Sequence, residues 1–192
     1  MVKSGTRPDE SGFRISFRIS DRSAETIRRR SDGFTGAEVE GDLAVKCGPR
    51  WLGQLRDPGV PPQRRNWFDL APIWNFVWDL ASVSARLKHG ETEDTVQVEG
   101  TPVGLRLRRD NGRVILDQIL VAPPTQEGQR FITKFNEEFR NLTLSLDDLF
   151  HGTTAAIDQL LLELGRINPS ILQTEMVHRM RQLRNSIAGS PS

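Results

Sequence analysis

The chain has no tyrosine, one cysteine and only four lysines in 192 residues. Each shortage excludes something. A lone Cys47 cannot close a disulfide within the chain, so the sequence reads as suited to a reducing compartment. There is no G-x-S-x-G, no G-x-x-x-x-G-K-[ST] and no G-x-G-x-x-G, which removes the strongest local signs of a serine hydrolase or a phosphate-cradling loop. No apolar run reaches the ~18 uninterrupted residues that a membrane-crossing helix needs. Asp69, Pro72, Asn75 and Asp79 interrupt the best candidate. The opening MVKSGTRPDESG is polar and lacks the apolar stretch of a secretory signal. A soluble cytoplasmic protein without membrane contact is the expectation.

What is abundant is arginine, in near-perfect charge balance. Of 26 basic residues only Lys3, Lys46, Lys88 and Lys134 are lysine, and 25 acidic residues bring the net charge to +1. A chain so balanced has no global field steering it toward nucleic acid or an anionic membrane. Its length and 36% hydrophobic content suit one domain with a sizeable core.

The pattern along the chain divides it into an arm expected to be disordered (1–12), an α+β core (13–122), a helical C-terminal part packed on that core (123–187) and a tail expected to be disordered (188–192). FRISFRI alternates strictly, with Phe13, Ile15, Phe17 and Ile19 on one side and Arg14, Ser16 and Arg18 on the other, as in a half-buried strand. A short helix or loop follows over SDRSAETIRRRSDG. EVEGDLAVKCG is a second strand, with Val39, Leu43, Val45 and Cys47 on one face and Gly41 at a bulge. Residues 49–65, rich in Pro, Gly and Arg, read as a surface loop longer than most connections.

All four tryptophans, Trp51, Trp67, Trp74 and Trp78, lie within residues 51–78. The run from Leu70 through Ile73, Trp74, Val77, Leu80, Ala81 and Ser84 to Leu87 keeps helical spacing. Phe76, Trp78 and Val83 widen its apolar arc, leaving Asn75, Asp79, Ser82 and Arg86 as a polar stripe. This predicts a helix capped by Asn66 or Asp69, with Pro72 in its first turn and Gly90 at its end, covered on more than one side. After a candidate strand DTVQV, the pair Asn111-Gly112 sits between TPVGLRLRRD and RVILDQIL, the signature of a two-residue type I′ hairpin. That turn sets Leu107 opposite Leu116, Val103 opposite Leu120 and Arg106 opposite Asp117.

Beyond the APPTQEG linker, Phe131, Ile132, Phe135, Phe139 and Leu142 mark an amphipathic helix. Ser145 with Asp148 forms a capping box for a second helix ending near Gly165, and Asn168-Pro169 starts a third. The last two make a helical hairpin. The expected fold is therefore α+β: an antiparallel sheet of four to five strands on a Trp-rich helix, with C-terminal helices as further cover.

Candidate chemistry is sparse. Glu175 and His178 have the E-x-x-H spacing of carboxylate–histidine metal bundles, but such bundles need a second pair and two more inward carboxylates. Asp147 and His151 flank a helix start, and His89 a helix end, where macrodipole and capping roles suffice. Cys47 falls on an apolar strand face, the usual setting of an inert thiol. No catalytic residue, no metal site and no cofactor is expected, and the enzyme class has nothing specific behind it. The arginine clusters Arg28–Arg30, Arg64–Arg65 and Arg106, Arg108, Arg109 and Arg113 offer the remaining surface signal. They suit an acidic protein partner or, as the alternative function, nucleic acid bound along arginine-lined sheet or hairpin faces.

Four segments in order, FRISFRI, EVEGDLAVKCG, FDLAPIWNFVWDL and VGLRLRRDNGRVILDQ, resemble a group of small actinobacterial α+β proteins associated with immunity to polymorphic toxins. The resemblance covers residues 13–120. Here the last strand lacks the aromatic residue common in that group, and the loop before the helix is longer. The resemblance implies a non-enzymatic protein that binds one cognate toxin domain and occludes its active site, with contact residues that do not carry over between members. Central hot spots of such interfaces favour Trp and Arg, which makes Arg50, Trp51, Arg64 and Arg65 of the long loop the candidate partner-binding residues.

Overall fold

The protein is described from a computed structural model, over residues 12–30, 33–52, 67–101, 103–121 and 139–189. The α+β class holds, and the strands divide into two four-stranded antiparallel sheets. In the first, β2 (Glu40–Cys47) is central. β1 (Phe13–Ile19) pairs along one edge, while β3 (Arg50–Trp51) and β4 (Phe68–Pro72) share the other. Helix α1 (Asp21–Arg29), N-capped by the Ser20 hydroxyl, connects β1 to β2. The second sheet runs β5 (Glu93–Gln97), β6 (Val103–Asp110), β7 (Arg113–Leu120), β8 (Leu142–Ser145).

Helix α2 (Ile73–Lys88) carries the aromatic run and packs against β2, β5 and the two C-terminal helices. Covered on several sides, it buries Ile73, Trp74, Phe76, Val77, Leu80 and Leu87. Trp74 stacks beside Trp78 at 6.3 Å and meets Phe34 in a T-shaped contact at 5.2 Å. Gly36, at φ +85°, leaves room for that indole, since a Cβ there would overlap the Trp74 ring. The helix closes as expected at Gly90. The Gly90 and Glu91 N–H groups return to the Leu87 and Arg86 carbonyls at 3.3 and 3.1 Å, a Schellman motif with Gly90 at φ +106°.

The start of α2 differs from the expectation. Phe68–Pro72 is strand β4, so Asp69 does not cap the helix and Pro72 stands at the N-cap, while Asn66 lies outside the described residues. Proline drives the residue before it out of helical geometry, which keeps Ala71 extended and stops the helix from reaching back. Leu70 therefore leaves the core stripe. It is 69% exposed at φ +54°, in a bulge where the β2–β4 register slips between Gly41 and Leu43.

The hairpin at Asn111-Gly112 forms as expected, with both turn residues at positive φ. Its register pairs Val103 with Leu120, Leu107 with Leu116 and Arg106 with Asp117. The expected helix around Phe131, Ile132 and Phe135 lies outside the described residues, as do nearly all of the N-terminal arm, the APPTQEG linker after Val121 and most of the tail. Leu142 belongs to strand β8 rather than to a helix, because it pairs with Leu116 on β7. α3 (Leu146–Ile167) opens on the expected capping box. The Ser145 hydroxyl accepts from the Asp148 N–H at 3.0 Å and donates to the Asp148 carboxylate at 2.7 Å.

Gly165 does not end α3, which runs on to Ile167. Its missing side chain instead admits Leu172, whose Cδ1 would lie 2.9 Å from a Cβ at that position. A 3₁₀ turn (Pro169–Gln173) leads into α4 (Glu175–Ala188), and α3 and α4 pack together as the expected hairpin. Asn168 ties this corner to α1 by donating to the Ile27 and Arg30 carbonyls at 3.0 and 2.8 Å. Between α2 and α3 the core holds one polar contact among the described residues, Ser84 to Thr153 at 3.2 Å, and Thr153 also donates to the Leu149 carbonyl.

Candidate partner-binding face

The candidate site grows from the strict alternation of β1 and its register with β2. Phe13, Ile15 and Phe17 turn inward with Leu43, Val45 and Cys47, so Arg14, Ser16 and Arg18 share the other face with Asp42, Lys46 and Ala44, of which Ala44 is itself fully buried. The register then sets Arg14 directly opposite Lys46, and Lys46 directly opposite Trp51 of β3. Three adjacent strands thus contribute cation, cation and indole to one row. The Lys46 ammonium lies 5.6 Å from the centre of the half-buried Trp51 ring, a cation–π distance. Like charges directly opposite on a sheet cost stability. Among the described residues neither Arg14 nor Lys46 forms an ion pair, while Arg18 is held by Asp42.

Two further features involve the same sheet. The bulge of β4 sets its extra residue opposite Asp42, with Leu70 exposed on a left-handed backbone that a bulky apolar residue rarely adopts. On the other side, a groove of about 300 Å³ runs between β1 and α3, lined by Arg14, Lys46, Asp148, His151 and Gln159. α3 approaches this closely because Gly152 faces the β1 backbone, where a Cβ would overlap the Phe13 carbonyl.

Of the residues singled out in the sequence, Trp51 is in the row. Arg50 is exposed but precedes Trp51 on the same strand and pairs with Cys47, so alternation turns it to the opposite side of the sheet. The two do not form one patch. Arg64 and Arg65 lie outside the described residues. Part of the segment read as a surface loop is ordered pairing: Leu52 is fully buried and its N–H donates to the Val45 carbonyl at 2.9 Å. Arg14, Lys46 and Leu70 are not among the candidates read from the sequence. The alternation of FRISFRI already exposes Arg14, but only the β1–β2 register brings Lys46 beside it.

The other candidates have local roles. Glu175 pairs with Arg179 at 2.9 Å and His178 contacts Gln182 at 3.0 Å, both along the surface of α4. Among the described residues no group of three or more His, Cys, Asp or Glu side chains is placed to hold a metal. Cys47 is buried, and burial, with the nearby Asp148 charge, pushes its thiol up to about 11. Such a thiol is a poor nucleophile at neutral pH. Burial, with the Glu99 charge behind it, also raises Asp79 above the usual carboxylate range. Arg106 and Arg108 both approach Asp117, at 3.5 and 3.9 Å. No helix among the described residues is long and apolar enough to cross a membrane. No protein-family model, no curated protein and no solved structure matches the chain.

Proposed function

We propose that this protein is a soluble, non-enzymatic binding module of the immunity type, which blocks a cognate toxin domain by docking it on the outer face of the first sheet. The observation that carries the reading is the row Arg14–Lys46–Trp51, in which two cations without an ion pair among the described residues stand opposed beside a half-buried indole. A partner surface with carboxylates relieves that opposition. The indole supplies rigid contact area of the kind that dominates interface energetics. The exposed Leu70 on its bulge adds an apolar contact at the far end of the same sheet edge. A net charge of +1, and hairpin arginines already gathered around Asp117, support a protein partner over nucleic acid.

The test is calorimetric titration of the purified chain with the C-terminal domain of a secreted protein encoded by an adjacent gene. Tight binding is expected, weakened at least about tenfold by Trp51→Ala and by Lys46→Glu. Full affinity in both variants contradicts the docking face. Absence of binding, combined with capture of an RNA or DNA oligonucleotide that collapses between low and high salt, favours the nucleic-acid alternative.

A further inference from the structure

A second feature, which shares the exposed His151 with the groove beside Arg14, lies where the ends of α2 and α4 meet the second sheet. A cavity of about 640 Å³ opens there. Leu146, Phe150 and Ile187 supply apolar lining, and Lys88, Arg109 and His151 supply nitrogen. The size falls within the ~300–1,000 Å³ range of small-molecule sites, and an apolar lining with a few convergent polar groups is their usual composition.

The two cations are fixed by backbone rather than by carboxylates. Lys88 Nζ donates to the Ile187 and Ser186 carbonyls at 2.6 and 3.1 Å and to that of Gly189, capping the end of α4. Arg109 donates one N–H to the Leu87 carbonyl at 2.8 Å, at the end of α2. Among the described residues neither forms an ion pair with an acidic side chain. Carbonyl ligation sets their positions without cancelling a full unit of charge, and it leaves most of the Arg109 fork uncommitted. The His151 imidazole has no hydrogen-bond partner among the described residues. The one acidic side chain of the described lining is Asp147, which is exposed.

From this we infer that the cavity is a binding site for a small organic oxyanion, a carboxylate or phosphate head carried on an apolar body. The head meets the Arg109 fork and the His151 ring within the field of Lys88. The body lies on Phe150, Leu146 and Ile187. Guanidinium suits either head because its paired N–H groups match two oxygens at once.

The test is titration of the ¹⁵N-labelled full chain with phenyl phosphate, benzoate and inorganic phosphate, read from amide resonances. Saturable shifts at Gly112, Asp147 and His151 are expected with phenyl phosphate or benzoate, and the tighter of the two identifies the head group. Inorganic phosphate, which leaves the apolar lining unused, is expected to bind about tenfold more weakly. Arg109→Gln should raise Kd about tenfold, and His151→Ala about threefold with an unchanged melting temperature. Arg50→Gln, on the first sheet, should change nothing. Should Arg109→Gln fail to fold, His151→Ala alone decides. The inference is overturned by the absence of saturable shifts, by His151→Ala binding with wild-type affinity, or by inorganic phosphate binding as tightly as phenyl phosphate.

Discussion

The two sheets solve the same problem in opposite ways. Both are four-stranded and antiparallel, and both place arginine on the face turned away from the core. In the second sheet the fold supplies a carboxylate to the arginines, although the buried Arg106 Nε has no hydrogen-bond partner among the described residues. Arg106 and Arg108 converge on Asp117, which is nearly buried and also accepts the Asn141 N–H at 2.7 Å, and Glu93 lies opposite Arg108 across the strands. In the first sheet Arg18 has Asp42, but Arg14 and Lys46 face one another with an indole alongside. An arginine-bearing sheet face is thus not by itself a binding surface. What distinguishes the two is whether the fold supplies the counter-charge.

That contrast is open to breakage at several points. Asp117→Ala should have the largest effect, a loss of about 3 kcal/mol in urea unfolding, because it removes the nearly buried carboxylate shared by the half-exposed Arg106 and Arg108 and leaves a backbone N–H without its acceptor. A loss below ~1 kcal/mol would mean that the second sheet does not depend on its internal neutralisation. Gly152→Ala should cost about 2 kcal/mol, by driving α3 off the Phe13 carbonyl, and should open the groove beside Arg14. Thermal melts read the first effect, and hydrogen exchange at β1 reads the second.

Cys47, on the inward face next to Lys46, gives a pH-dependent check. Its folded pKa of about 11 lies above the ordinary 9.0. Below pH 9 both states keep the proton and stability is indifferent. Between 9 and 11 the unfolded chain ionises first, so stability falls as pH rises, by at most roughly 1.4 kcal/mol per pH unit. The stability difference between wild type and Cys47→Ala should shrink across that window. A difference that stays constant from pH 8 to 10.5 would show that the thiol is not held in the dry interior.

Much of this fold was legible because local rules and tertiary packing agree. Strict alternation over residues 13–19, the Asn111-Gly112 turn and the Ser145–Asp148 capping box each settle their own geometry. The hairpin register followed from turn type alone. The misreadings have equally local causes. Leu70 fits the helical spacing of the tryptophan run, yet the constraint Pro72 places on Ala71 outweighs that periodicity. Gly165 sits where a helix cap is plausible but serves as a contact point for Leu172. Leu142 looks helical in sequence and becomes a strand because β7 offers it an edge. The candidate site was half legible: Trp51 stands out as a tryptophan among Pro, Gly and Arg. Its neighbours Arg14 and Lys46 come from two strands separated by a whole helix, a juxtaposition no local pattern encodes.

The central claim is that the first sheet keeps its two opposed cations for a partner and not for its own stability. It is tested most directly by the urea-unfolding free energy of Arg14→Glu, which leaves the Lys46–Trp51 contact in place. The substitution turns a like-charge pair across the strands into an opposite-charge pair with Lys46, and the account expects stability to rise by about 0.5 kcal/mol. A fall of ~1 kcal/mol or more would contradict it, showing that Arg14 is held by the fold itself.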